Sequence, residues 1–277
     1  MLSAYKYIQA FSIDIALGGV IGALFVAKYL GVELGYLVVI ELFVTIWLIY
    51  TFDHLIDSGS GRYELVAYRH KIHGKLSTSI WGVWSFALIV ALTLLFKIPS
   101  ATLMSGSILG VFVVMYFFSL KLLEEGNLYH KEFSAAFLYT IGIFIGPVSI
   151  FQGALSNDIW ILFIEYVLLA SVNLLVFSMY EQLANEKSGF QSLLKTLGAE
   201  KIRIISWTLI AIVILLSVVS IIWFWESSDI LKAQLIILLM AICLLLVFIN
   251  KGTLIRHERY RMVGDAIFFL PVLYILS

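Results

Sequence analysis

Residues 159–189 read IWILFIEYVLLASVNLLVFSMYEQLANEKSG. From Ile159 to Met179 the run holds a single charged residue, Glu165, and about 20 apolar residues suffice for a helix to cross the hydrocarbon core of a bilayer. The same helix then runs without a break into Tyr180, Glu181, Asn185, Glu186 and Lys187, before Ser188 and Gly189 end the pattern. The stretch therefore reads as a membrane-spanning helix with a polar end.

The rest of the chain agrees. Of its 277 residues 62% are hydrophobic and only 13% charged, with a mean hydropathy of +1.02. A soluble fold has too few charges here to cover so much apolar surface, whereas lipid solvates apolar helix faces directly. Nine spans are expected, near Phe11–Val32, Leu34–Phe52, Thr78–Phe96, Ala101–Leu120, Phe133–Leu155, Ile159–Met179, Ile204–Trp225, Leu231–Asn250 and Tyr260–Leu276. The expected fold class is all-α, a polytopic membrane protein of about nine transmembrane helices, with residues 1–277 forming one integral-membrane domain. Pro99 falls in a connection, while Pro147 and Pro271 fall inside spans, where a local kink is expected.

Charge sets the orientation. With the N-terminus inside, that side receives Lys6, Arg62, Arg69, Lys71, Lys75, Lys121, Lys131, Lys187, Lys195, Lys201, Arg203, Lys251, Arg256, Arg259 and Arg261. The opposite side has only Lys28, Lys97 and Lys232 of the 18 basic residues. Such segregation places the N-terminus in the cytoplasm and the C-terminus outside. Trp160, Trp223 and Trp225 lie near outer span ends, where an interfacial belt puts them. A net charge of zero gives no electrostatic case for nucleic acid. The one cysteine, Cys243, sits in an apolar run and excludes a disulfide framework. No cleavable signal peptide is legible before the first span.

Two helix ends carry acids toward the basic face. Span two continues into Tyr50-Thr-Phe-Asp53-His-Leu-Ile-Asp57. Residues four apart on a helix differ by about 40°, so Asp53 and Asp57 share a face. Two carboxylates a turn apart suit a hard divalent ion such as Mg²⁺, which prefers oxygen ligands. A solvated helix end explains the pair equally well. Glu181 and Asn185 repeat the spacing on span six, at the same face. Two acidic helix ends followed by basic stretches suit a diphosphate, whose oxygens metals bridge to carboxylates while Lys and Arg hold the remaining charge.

The segment from Glu181 to Gly198, E-x-x-x-N-x-x-x-G-x-x-S-L-x-x-x-L-G, resembles the second aspartate-rich motif of the UbiA superfamily of intramembrane prenyltransferases. That motif runs D-x-x-x-D-x-x-x-G-x-x-T-L-x-x-x-L-G, and the register is kept at Glu181, Asn185, Gly189, Ser192, Leu193, Leu197 and Gly198. In the family's first motif, N-D-x-x-D-x-x-x-D, Asp53 and Asp57 match the last two acids, but Ile49 and Tyr50 replace the leading pair. Arg69 to Ser77 is similar to R-P-x-x-x-G-x-x-S without its proline, and Tyr116 to Lys121 is similar to Y-S-x-x-L-K.

The resemblance implies a helical bundle around a central cavity open to the cytoplasmic side, with Mg²⁺ at Asp53, Asp57, Glu181 and Asn185, a prenyl diphosphate held there and its tail among apolar helix faces. It further implies Arg69, Lys75, Lys121 and Lys187 against the diphosphate, and Asn173 and Tyr116 in the cavity. The product would be a prenylated lipophilic acceptor, formed in a bacterial inner membrane. Replacement of the leading Asn-Asp pair, and Glu181 and Asn185 in place of two aspartates, remove carboxylate charge from the metal site. A non-catalytic lipid-binding or transport protein on the same scaffold is the rival. The sequence fixes neither the acceptor, nor the prenyl chain length, nor the oligomeric state.

Asp14, Glu41, Glu165 and Asp265 lie inside expected spans, where acids face a cavity, pair with a neighbour or mark an ion pathway. His54, His70, His73 and His130 fall on the basic side, too few for a membrane di-iron oxygenase; His70 and His73 read as surface or diphosphate-contacting residues. The D-G-x-x-A-R opening of CDP-alcohol phosphotransferases is absent. Gly18, Gly19 and Gly22 read as close-packing positions.

The orientation is directly testable. In a Cys243→Ser background, Ser227→Cys should react with a membrane-impermeant maleimide added to intact cells, and Ser188→Cys only after the membrane is opened. The reverse pattern would invert the topology.

Overall fold

The computed structural model of the protein describes residues 2–59, 68–122, 131–184, 197–250, 254–255 and 259–277. Among these the regular structure is entirely helical: α1 (Leu2–Ala10), α2 (Ile13–Tyr29), α3 (Tyr36–Gly59), α4 (Tyr68–Lys75), α5 (Ser77–Leu94), α6 (Ser100–Leu122), α7 (Lys131–Ile150), α8 (Asn157–Ala184), α9 (Ala199–Trp223), α10 (Ser228–Ile249), α11 (Arg259–Ile267) and α12 (Val272–Ile275). In lipid the backbone must satisfy its own hydrogen bonds, which leaves helices as the form these apolar runs take.

Seven of the described helices are long and apolar enough to cross a membrane: α3 and α5 to α10. Their outward faces stay apolar, with Phe86, Val114, Leu215 and Ile222 all exposed, as an integral membrane protein requires. The other two expected spans take different forms. The first is α2, only 17 residues long, because the chain breaks at Ser12 and α1 stands as a separate helix before it. Ser12 adopts φ 55°, the left-handed region that non-glycine residues seldom occupy, and so turns the chain sharply. The last is split into α11 and α12 by a run of tight turns ahead of Pro271, whose missing N–H cannot continue the ladder. Pro147, by contrast, is absorbed three residues from the end of α7.

Helix α8 is the axis of the bundle. In its apolar window 61% of the residues are buried, against 0% for α6, which lies at the periphery. It packs on α7, α9, α10 and α11, while α2 joins α3, α7, α11 and α12 into the other half. Small residues set the separation on the α2 side. A Cβ on Gly18 would come 3.2 Å from Phe268 Cβ, and one on Gly22 would come 3.1 Å from Ile143 Cγ2. The glycine run thus does permit close approach, to α7 and to the turns after α11.

Gly264 does the same between α11 and α8. A Cβ there would lie 2.5 Å from Phe177 Cε1 and 2.6 Å from Asn173 Oδ1. An aromatic ring packed on both sides cannot give way cheaply, so Gly264→Ala should destabilise the fold by about 1–3 kcal/mol. Thermal unfolding in detergent should show the drop, and an unchanged midpoint would show that α11 is not held against α8 at this point.

Candidate functional site

The polar end of the bundle is built by the last turns of α3, α8 and α10 and the first turns of α7 and α11. Tyr180, one residue before Glu181, fixes three of them. Its hydroxyl donates to the Val247 carbonyl of α10 at 2.7 Å, and its ring stacks on Tyr260 of α11 at 4.5 Å with the planes 4° apart. Both rings are buried, so they supply apolar contact area as well as direction.

Glu181 therefore faces α11, and there it forms an ion pair with Arg261. The side chains are 13% and 7% exposed, so little water screens them. The Arg261 guanidinium also lies over the rings of Phe177 and Tyr260, 5.1 and 5.7 Å from their centroids. Those contacts favour a flat, weakly hydrated cation over an ammonium. Close by, Glu132 at the start of α7 is buried and accepts a hydrogen bond from Ser178 at 3.1 Å.

On the N-terminal side, Asp14 is buried and accepts from the Tyr5 hydroxyl at 3.2 Å and from the Ile15 amide at 3.0 Å. Burial first, then the carboxylates of Asp14 and Asp265, push the Tyr5 hydroxyl above its ordinary value, which keeps it a proton donor. The same hydroxyl also reaches the Met262 carbonyl at 3.5 Å, tying α1 to α11. Asp14 and Asp265, the two acids expected at a cavity, thus sit around the helix that carries Arg261.

At the α3 end, Asp53 is half-buried, and the helix continues through Asp57 to Gly59. His54 between them is buried, and its ring meets that of His73 on α4 at 5.4 Å. The Phe11 ring also meets that of His73, with centroids 6.0 Å apart. His73 is therefore interior rather than a surface residue, because α4 forms a helix that packs on α3 and α1.

The remaining expected site residues divide. Lys75 is exposed at the end of α4, Tyr116 is half-buried on α6, and Asn173 is buried against Gly264 with its Oδ1 lacking a hydrogen-bond partner. Asp57, Arg69 and Lys121 are placed by their backbone alone, in α3, α4 and α6. Asn185 and Lys187 lie outside the described residues. Sequence reasoning missed Arg261 and Glu132, counting the first as a loop cation and passing over the second. The available cue was Asp265, four residues after Arg261 and hence on its face of the helix.

The donor sets at the two ends differ. Asp53 with Asp57 one turn on retains two carboxylates and fits a divalent ion by its chemistry. At the α8 end the Glu181 carboxylate is already matched by a guanidinium, and a divalent ion there would meet a like charge. Among the described residues no group of three or more His, Cys, Asp or Glu side chains converges on a metal position.

No family model and no curated protein matches the chain. A solved structure does, one that concerns the biosynthesis of digeranylgeranylglyceryl phosphate synthase in membranes. It shares 19% identity and superposes with a TM-score of 0.56, covering 100% of this chain and 98% of that one. The likeness is one of fold. The chain shares the fold of that membrane protein along its whole length.

The pairing of Glu181 with Arg261 has a measurable consequence. Arg261→Gln leaves a buried carboxylate and Glu181→Gln a buried guanidinium, each at a cost of about 3–5 kcal/mol. The double variant removes both charges and should lose less than either single. Thermal unfolding of the four proteins in one detergent tests this; additive losses would show that the two groups do not act as a pair.

Proposed function

We propose that this protein transfers a prenyl group from a prenyl diphosphate to a lipophilic acceptor within the membrane. The observation that carries the reading is that both motif-bearing helix ends, α3 at Asp53 and α8 at Glu181, belong to a chain whose fold matches that of a membrane synthase along its whole length. Residues 1–277 act as one domain, with this end toward the cytoplasm of a bacterial cell, the N-terminus inside and the C-terminus outside.

Asp53 and Asp57 are the residues that would hold Mg²⁺. Bound there, the ion would offset the charge of the diphosphate as it leaves. Lys75, with Arg69 on the same short helix and Lys121 at the end of α6, supplies further positive charge at the diphosphate. Lys187 and Asn185 would complete the wall from the α8 side. The prenyl tail lies among apolar helix faces, along which Tyr116 and Asn173 would give the few polar contacts.

The C–O bond between the prenyl C1 and the diphosphate oxygen breaks, and the diphosphate departs with the electron pair. The allylic cation that remains is captured by the electron-rich acceptor, which then gives up a proton. Exclusion of water from the apolar interior protects the cation from hydrolysis. Charge stabilisation at the departing diphosphate is the main catalytic task, because no covalent intermediate with the chain is needed.

The purified protein, offered short and long prenyl diphosphates with a panel of lipophilic acceptors, should release diphosphate in Mg²⁺ and not in EDTA. Asp53→Ala should lower that rate by at least about a hundredfold, roughly the effect of removing one preorganised electrostatic group. Prenyl transfer that survives Asp53→Ala together with Asp57→Ala would contradict the mechanism. No release with any chain length or acceptor would favour the lipid-binding or transport reading.

A further inference from the structure

A motif acid expected to hold a metal is instead held by a cation of the chain itself. We propose that Arg261 takes the place of a divalent ion at the α8 half of the site, so that the protein binds one such ion, at Asp53 and Asp57, and none at Glu181. The inference rests on the reading of the α3 and α8 ends as one diphosphate site.

Three observations converge on it. The first is the ion pair itself, formed by two side chains with little access to water, so that the carboxylate charge is already met within the protein. The second is the construction around Arg261. The Phe177 and Tyr260 rings flank the guanidinium, and Tyr260 is in turn fixed by its stack on Tyr180. Gly264, one turn along from Tyr260, lets α11 approach α8 closely enough for the pair to form. The third is the residue type. Glu181 offers a single carboxylate and its motif partner is Asn185, an amide, so this motif pair carries one negative charge where Asp53 and Asp57 carry two. Among the described residues no group of three or more His, Cys, Asp or Glu side chains converges on a metal position, and a divalent ion at Glu181 would meet the like charge of Arg261.

A permanent cation has a different consequence from a bound one. Its contribution does not depend on the free concentration of metal, and chelators cannot remove it. The α8 half is then set during folding, and only the α3 half responds to Mg²⁺.

Mn²⁺, a paramagnetic stand-in for Mg²⁺, gives a direct count. Titrated into the full chain in nanodiscs and followed by electron paramagnetic resonance, it should occupy one site per chain. Asp53→Asn should weaken that site at least tenfold. The neutral double variant Glu181→Gln with Arg261→Gln should keep it. Arg261→Gln alone takes the guanidinium away from the Glu181 carboxylate and should gain a second, weaker site, whereas Arg261→Lys should not. A wild-type count of two or none overturns the proposal, and so does loss of the site in the double variant. The wild-type count stands even if Arg261→Gln does not fold. Binding of inorganic pyrophosphate, measured by calorimetry on the same samples, separates the two readings. One Mn²⁺ site with no pyrophosphate binding would keep Arg261 in its role and remove the prenyl diphosphate substrate.

Discussion

Glu181 ends the most enclosed helix of the bundle, so its charge has to be met from inside the protein. Most of the polar end follows from that constraint. Arg261 can reach the carboxylate only if α11 lies close to α8, which requires Gly264 where its neighbours are Phe177 and Asn173. Its guanidinium needs flat apolar cover, supplied by Phe177 and Tyr260. Tyr260 needs a fixed plane to stack on, and Tyr180 provides one while its hydroxyl holds α10. Three helices, α8, α10 and α11, are thereby positioned by the requirement to neutralise one acid.

The same logic extends to the N-terminus. Residues 2–10 form a helix that turns back at Ser12 instead of continuing the first span. The turn lets Tyr5 reach both Asp14 and the backbone of α11. Phe11, at the turn, covers His73, and His73 meets His54 between the two motif aspartates. The α3 and α8 ends are thus connected through α1, α4 and α11 as well as by the bundle core.

Hydropathy made the long spans legible, because a helix in lipid has to be apolar over a length set by the bilayer. The seven helices that satisfy this criterion each fall on an expected span. The short elements were not legible, for physical reasons. Nothing in Gln9-Ala-Phe-Ser12 marks a left-handed turn, since serine avoids that region unless packing imposes it. Helix α4 carries a mostly polar sequence with no strong apolar stripe, so its helicity comes from packing on α3 and α1. Of the candidate site, spacing singled out the acids at Asp53 and Glu181. The partner of Glu181 was not, since Arg261 lies 80 residues further along and a local pattern carries no information about which helices meet.

The intramembrane acids divide by depth, and the division explains why an arginine suits one of them. Glu165 precedes Glu181 by 16 residues on α8, about 24 Å along the axis. It is fully buried, and neutral donors meet both of its oxygens: Ser217 on α9 and Gln234 on α10, each at 3.0 Å. Glu41 likewise accepts from Thr45 on its own helix. Placing a guanidinium far inside the bilayer would mean desolvating a second ion, a cost that attraction to a single carboxylate repays only with further hydrogen bonds. Near the polar end that cost falls, because the stem of an arginine can extend toward the aqueous face. The ionised pair accordingly forms at Glu181, at the face where a diphosphate would arrive, while Glu165 serves as a hydrogen-bonded junction of three helices.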